Sequence, residues 1–228
     1  MAIGRYLIQQ AGIMLVCFAV WNCGLLASAA DRFVSVEDIK ADLRTQDIDL
    51  ILQTLNNVKQ MKYQGQVLPL VRDLWDNKKE IYPDLQWEII NSDIIRIDIA
   101  NVLLQAQRNG RIQIDTNGIY DFVAGLVDSS DVQVAQNAIL TLSLINESRS
   151  AEKIMSAAKR QNKWTFRSSI VALLSMCHSS AEKALDQLEM SVRDNAGLRA
   201  EIQKDRQKMA AYRTRTAICD RGEGAHSR

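Results

Sequence analysis

The chain has 228 residues, of which 47% are hydrophobic and 24% charged, and this excludes a predominantly disordered protein. Only two prolines are present, whereas all-β folds need frequent Gly and Pro between short strands, so long helices are favoured. Lys+Arg 28 against Asp+Glu 27 gives a net charge of +1, which lacks the basic surplus of a nucleic-acid-binding protein.

Residues 1–30 have the pattern of a secretory signal peptide. Arg5 is the only charge before an apolar run over residues 11–20, and Ala27-Ser28-Ala29 offers the small side chains that signal peptidase requires. Cleavage would start the mature chain near Asp31, export it to the periplasm or the exterior, and leave no stable membrane insertion. The alternative is an uncleaved anchor, because residues 11–30 are about long enough to span a bilayer.

Export would decide how the cysteines are used. Cys17 and Cys23 lie in the signal segment, which leaves Cys177 and Cys219 in a compartment that permits disulfides. Cys177 lies in an apolar helical stretch, which predicts a buried thiol. The alternative is a Cys177–Cys219 bridge that ties the C-terminal tail to the last hairpin.

Apolar residues recur at three- and four-residue spacing from Asp38 to Val192, which predicts amphipathic helices. The predicted helices cover residues 47–59, 67–75, 84–107, 119–127, 132–145, 151–159, 164–176 and 181–192. Ile94 to Ile99 alternates as a strand does, but the flanking pattern is helical. Because the polar breaks between helices are short, consecutive helices should be antiparallel neighbours.

Internal similarity favours a repeat array over a bundle. Ser150-Ala151-Glu152-Lys153 recurs thirty residues later as Ser180-Ala181-Glu182-Lys183. The helices that precede the two copies also align, with Leu142 matching Leu173 at an offset of 31. Spacings of 30–48 residues are too irregular for the tightly periodic repeat families.

Two segments resemble HEAT repeats. Residues 67–74 read V-L-P-L-V-R-D-L, similar to the second helix of a HEAT repeat, and Val134, Ala138 and Leu142 match the first helix. Ala135 departs from the pattern, since the family often has an Arg there that ties neighbouring repeats together. The resemblance covers about residues 45–192. It implies an all-α fold, a short right-handed α-solenoid of about four antiparallel hairpins, over residues 31–192.

Residues 193–228 are predicted to form a C-terminal helix and a basic disordered tail. Leu198, Ile202, Met209 and Tyr212 give a thin apolar stripe, which predicts a helix that caps the last hairpin. Beyond Ile218 no apolar pattern continues, so disorder is expected. The basic stretch 199–215 is interpreted as a solvated helix face, with contact to phosphate or anionic lipid as the alternative.

No catalytic, metal or cofactor motif is found. His178 and His226 are the only histidines and have no ligand spacing between them, so we expect no catalytic residue, no metal and no cofactor. A Cys177–His178 dyad is disfavoured, because adjacent residues on a helix point about 100° apart. The remaining tryptophans at helical spacing are expected in the core rather than on a sugar-binding platform, and they are Trp75, Trp87 and Trp164.

The resemblance implies a curved surface lined by the second helix of each hairpin. The polar residues expected on this concave face, as candidates for partner binding, are Arg72, Asp73, Asp76, Asp121, Lys153, Lys159, Glu182, Asp186 and Glu189. The expected function is a non-catalytic protein-binding or scaffold module of the cell envelope, with another protein as partner and no nucleic acid. The alternatives are a structural subunit of a larger envelope or secretion assembly and a HEAT-like enzyme.

Overall fold

The computed structural model describes residues 35–60, 64–159 and 163–216, and every regular element in these ranges is helical. The α-helices are α1 (Val36–Leu43), α2 (Ile48–Gln60), α3 (Leu68–Trp75), α4 (Trp87–Ile90), α5 (Asp93–Arg108), α6 (Asn117–Leu126), α7 (Val132–Ile145), α8 (Ser148–Ala158), α9 (Lys163–Ser175), α10 (Ser179–Ser191) and α11 (Ala196–Thr216). A 3₁₀ turn at Gln64–Gln66 precedes α3. The all-α prediction is confirmed. The predicted signal segment, Cys219 and the predicted tail beyond Ile218 lie outside the described residues.

One predicted helix is wrong in its extent. Residues 84–107 form two helices, α4 and α5, because the chain breaks at Asn91 and Ser92. Ser92 is extended at the N-cap position, with φ −64° and ψ 147°, and its Oγ donates to the Ile89 carbonyl at 2.6 Å. That bond satisfies a carbonyl at the end of α4 and redirects the chain. The alternating stretch Ile94 to Ile99 is helical, as predicted.

The helices pack in two sets. We call α2, α5, α7, α9 and α11 the first row, since each contacts the next along the chain. We call α3, α6, α8 and α10 the second row; α3 packs on α5, α6 on α7, and α8 and α10 on α9. Within the second row α8 packs closely against α10. The backbones of α3 and α6 stay farther apart, and these two helices meet through the rings of Trp75 and Phe122.

The core lies mainly between these rows. Ile95, Ile97 and Ile99 on α5 are fully buried, which explains why apolar residues crowd several faces of this helix. Ala138 on α7 is also fully buried, as predicted. Its single methyl group suits a helix that contacts α5, α6, α8 and α9.

Polar side chains connect successive helices of the first row. Thr141 Oγ1 on α7 lies 3.1 Å from Asn101 Oδ1 on α5, inside the core. Ser175 Oγ on α9 lies 2.9 Å from Ser143 Oγ on α7. Because buried polar groups cost free energy unless they are hydrogen-bonded, these pairs specify how one helix is placed along the next.

An ion pair makes the corresponding connection between α2 and α5. Lys59 Nζ lies 2.7 Å from Asp98 Oδ1, and the two side chains are only 9% and 17% exposed. A further connection joins two interhelical turns, where Asn146 Oδ1 accepts from the Cys177 backbone N–H at 2.8 Å. Asn146 can reach that N–H because it ends α7 in the left-handed region, at φ 58° and ψ 41°. Each of these bonds spans 31 to 40 residues of sequence.

The helix predicted near the C-terminus is present as α11 and packs against α9. Ile202 is fully buried and Met209 is 8% exposed, so these two residues of the apolar stripe face the rest of the fold. Arg167 on α9 pairs with Glu201 at 3.3 Å. An isolated helix with so few apolar residues would be only marginally stable, and α11 is stabilised by packing on α9.

Candidate functional site

The nine residues predicted to face a partner all lie on or directly after helices of the second row. Those on the exposed surface are Arg72, Asp76, Asp121, Lys159, Glu182 and Asp186, and those half-buried are Asp73, Lys153 and Glu189. Several of them already have partners within the chain, so the set does not form one continuous open surface.

The α3 candidates differ in how far they are available. Arg72 and Asp76 form an exposed i,i+4 pair at 3.9 Å, which contributes little to stability and leaves both groups open to a partner. Asp73 instead accepts a hydrogen bond of 3.2 Å from the Tyr82 hydroxyl. Desolvation, together with the hydrogen bond to Asp73, raises the pKa of Tyr82. Asp73 therefore helps to hold the segment that follows α3 and is less available to a partner.

Two of the α10 candidates are engaged by α11. Arg206 Nη2 donates to Asp186 Oδ1 at 2.7 Å, and Arg206 Nε lies 3.9 Å from Glu189 Oε2. Gln203 Nε2 adds a hydrogen bond of 3.0 Å to Glu189. The carboxylates of Asp186 and Glu189 therefore bind side chains of α11 within the same chain.

The central candidates lie on α6 and α8. Asp121 is exposed on α6, and Gly118 and Gly125, one turn to either side, have open space where a Cβ would stand. The backbone of α6 is therefore accessible beside Asp121. Lys153 on α8 reaches Asp128 at 3.5 Å, after the end of α6, and thereby connects two helices of the second row.

Lys159 borders a cleft of about 580 Å³ between α8, α9, α10 and α11. The floor of the cleft is apolar and includes Phe166, Val192 and Leu198, while Lys163 stands at its rim. This volume is within the range of small-molecule sites. The lining also includes the charged residues Arg167, Asp194 and Glu201.

Arg96 on α5 is a feature that the sequence pattern did not single out. Its guanidinium lies 4.4 Å from the ring centroid of Trp75 and 5.4 Å from that of Phe122, and the two rings meet edge to face at 5.7 Å. Nη1 donates to Asn91 Oδ1 at 2.9 Å, and Nη2 donates to the Trp75 carbonyl at 3.2 Å. Desolvation lowers the pKa of Arg96 from its usual value. We call Arg96, Trp75 and Phe122 the arginine–aromatic cluster.

A second arginine is stacked in a similar way but differs in its charge partner. Arg149 lies 4.1 Å from the Tyr120 ring centroid. Its Nε donates to Glu147 Oε2 at 2.6 Å and its Nη2 to Asn117 Oδ1 at 2.8 Å. The charge of Arg149 is compensated inside the chain, whereas the interactions of Arg96 in the described residues include no carboxylate.

The Cys177–His178 sequence has a structural role. His178 occupies the N-cap of α10, where its Nδ1 accepts from the Ser180 backbone N–H at 3.2 Å. Cys177 is disulfide-bonded, which departs from the expected buried thiol. Because Cys219 lies outside the described residues, the pairing of Cys177 with Cys219 stays a prediction.

The tryptophans serve the fold in different ways. Trp87 is buried and its Nε1 donates to the Tyr82 carbonyl at 2.8 Å. Trp75 belongs to the arginine–aromatic cluster, and Trp164 is half-buried on α9. The three tryptophans lie on three different helices, α4, α3 and α9.

Across residues 35–60, 64–159 and 163–216, no cluster of three or more His, Cys, Asp or Glu side chains is arranged to hold a metal ion. In the same ranges no helix has the length and apolar character needed to cross a membrane. Comparison with models of known protein families, with curated proteins and with solved structures gave no match.

Proposed function

We propose that this protein is a non-catalytic binding or scaffold module built from stacked, HEAT-like helical hairpins. The observation that carries the proposal is the two-row packing, in which first-row helices contact one another in sequence and second-row helices present polar residues outward. Such a stack offers an extended surface for another protein, and repeat folds of this kind use that surface for binding.

The polar bonds between first-row helices support a repeat stack. Ala135 replaces the Arg that commonly ties neighbouring HEAT repeats together. In this chain the bonds between Asn101 and Thr141 and between Ser143 and Ser175 connect neighbouring first-row helices instead. Their sequence separations of 40 and 32 residues fall within the range of 30–48 residues given for the repeat spacing.

The proposed partner surface, which we call the middle surface, runs along the second row from α3 to α8. Arg72, Asp76, Asp121 and Lys159 are exposed there and carry charges of both signs. The α10 end is a weaker candidate, because α11 engages Asp186. A partner for the middle surface would carry charges of both signs, which favours specificity and orientation over raw affinity.

A charge-reversal experiment tests this proposal. The mature protein is used to recover its partner from the native envelope fraction, and the dissociation constant of the purified pair is then measured for Asp121→Lys and for Arg72→Glu. We expect each variant to weaken binding by about tenfold, because juxtaposed like charges are unfavourable at an interface. Asp49→Lys on the exposed side of α2 is the control and should change affinity less than about twofold. Equal affinities for all four proteins would contradict the proposed surface.

We also propose that the protein is exported and acts in the periplasm or outside the cell. The supporting pattern is the segment of residues 1–30, with its apolar run and Ala27-Ser28-Ala29. N-terminal sequencing of exported material should find Ala30 or Asp31 first. A membrane-bound product that keeps Met1 would contradict cleavage and favour the anchor.

A further inference from the structure

We propose that Arg96 is the anchor for a carboxylate, supplied by an Asp or Glu side chain of the partner protein. This inference rests on the proposed function and adds the chemistry of the partner's central contact. Arg96 lies on α5, in the first row, and is not one of the nine candidate residues of the second row. The site is the arginine–aromatic cluster, where α3, α5 and α6 meet.

The position of the cluster connects three helices. Trp75 ends α3, Phe122 lies in the middle of α6, and Arg96 lies in the first turn of α5. The ring of Trp75 meets the ring of Phe122, and the Arg96 guanidinium lies against both, so these side chains join the three helices. All three side chains are half-buried, so one edge of the cluster remains open to solvent.

The guanidinium has unused hydrogen-bonding capacity. Arg carries five N–H donors, and the bonds to Asn91 and to the Trp75 carbonyl use two of them. Both acceptors are uncharged at this contact. An anion would stabilise this guanidinium, because part of its surface is withdrawn from water without a counter-charge. Among the described residues no carboxylate pairs with Arg96.

A purely structural role explains part of this arrangement. The bond from Nη2 to the Trp75 carbonyl places a cation at the C-terminus of α3, where it satisfies a free carbonyl and complements the helix dipole. That role uses one N–H and the bond to Asn91 uses a second, which leaves three of the five donors without an acceptor in the described part of the chain. The stacking on two rings fixes the guanidinium plane, which lowers the entropy lost when a second acceptor binds.

The remaining donors match a carboxylate better than other groups. A planar guanidinium binds a carboxylate through two parallel N–H···O bonds, and these charge-assisted bonds are shorter and stronger than neutral ones. A lone arginine competes poorly with water for a free small anion, so the carboxylate should be carried by a larger partner. Gly118 and Gly125 leave the neighbouring surface of α6 without side chains, so a partner backbone can approach closely.

The test uses defined peptides. A displayed library of random dodecapeptides is selected on the mature protein and counter-selected on Arg96→Gln, and the enriched peptides are synthesised. We expect each to contain Asp or Glu at a position where the change to Asn or Gln weakens binding at least tenfold. Arg96→Gln should weaken binding by a similar factor, since a hydrogen bond to a charged group is worth about 1.5–3 kcal/mol, or roughly 10- to 150-fold. The two changes together should cost no more than either one alone.

Arg149→Gln is the matched control, because Arg149 is also stacked on an aromatic ring but is paired with Glu147. It should alter peptide affinity less than about twofold. Failure to enrich any peptide that distinguishes Arg96→Gln, or enrichment of peptides without a required carboxylate, would overturn the proposal. If Arg96→Gln does not fold, the library is counter-selected on Arg96→Lys, and the Asp→Asn or Glu→Gln change in the peptide tests the contact on the native protein. Peptides that bind through Asp121 but not Arg96 would overturn this inference and leave the proposed function intact.

Discussion

Truncation of a single buried side chain on α11 should detach that helix without unfolding the stack. Ile202 is fully buried, and with Met209 it supplies the closely packed apolar contacts of α11 in the described residues. An Ile→Ala change in a well-packed site costs about 2–5 kcal/mol, from lost burial and from the cavity that remains. We therefore expect Ile202→Ala to weaken the docking of α11 by about 3 kcal/mol.

The loss should stay local because α11 is the last helix of the first row and packs against α9. In a repeat stack each unit contacts only its neighbours, so a terminal element can open on its own. A change of about 3 kcal/mol corresponds to roughly a 100-fold rise in the population of the open form. Protection of the α11 amides against hydrogen exchange should fall by about that factor, while amides of α5 and α7 keep their protection.

Hydrogen exchange followed by mass spectrometry measures both effects in one experiment. Lys204→Ala is the control, because Lys204 is exposed on the same helix and such changes usually stay within about 0.5 kcal/mol. Equal α11 protection in the wild type and in Ile202→Ala would refute the reasoning. So would a parallel loss of protection in α5, because it would show that the chain unfolds as one unit.

Two substitutions test the interior of the fold, and a peptide map tests the cysteine pairing. Ala138→Arg should lower the melting temperature strongly, since burying an unpaired charge costs about 3 kcal/mol or more, and an unchanged melting temperature would mean that the helix register is wrong. Lys59→Met should lower the free energy of unfolding, measured by chemical denaturation, by roughly 2–4 kcal/mol. The reason is that it removes the ion-pair partner of Asp98, whose side chain is only 17% exposed. An unchanged free energy of unfolding would show that this pair does not hold α2 against α5. Peptide mapping of the unreduced protein should recover a fragment that joins Cys177 to Cys219, and a different partner for Cys177 would contradict the predicted bridge.

The polar pairs between the last two helices show that α11 runs antiparallel to α10. Arg206 pairs with Asp186 and Gln203 with Glu189, so moving three residues back along α11 moves three residues forward along α10.

Most of the helices could be predicted from the sequence because they carry apolar residues at three- and four-residue spacing, although α1 was not among those predicted. The break between α4 and α5 could not, because Ile89, Ile90 and Ile94 continue the helical spacing across it and neither Pro nor Gly marks it. The stop depends on Ser92, whose hydroxyl bonds back to the Ile89 carbonyl. Such a bond competes with helix locally and leaves no trace in an apolar pattern.

The candidate surface was harder to predict, because its contacts are tertiary. Arg96 meets Trp75 and Phe122, which are 21 and 26 residues away, and no local spacing relates the three. Asp186 was expected on an open surface, but Arg206 pairs with it. The sequence did offer one signal for this pairing, because the acidic residues of α10 are followed by a basic stretch. Predicting which residues pair would have required knowing that α11 runs antiparallel to α10.

The most direct test of the central claim is a hydrogen-exchange footprint of the mature protein with and without its purified partner. The proposed binding module predicts that added protection falls on α3, α6 and α8, with the amides around Phe122 among the most affected. The helices α2 and α7 should change little. Protection confined to α11, or spread over the outer side of the first row, would contradict the proposed surface and favour a subunit held by its C-terminal helix.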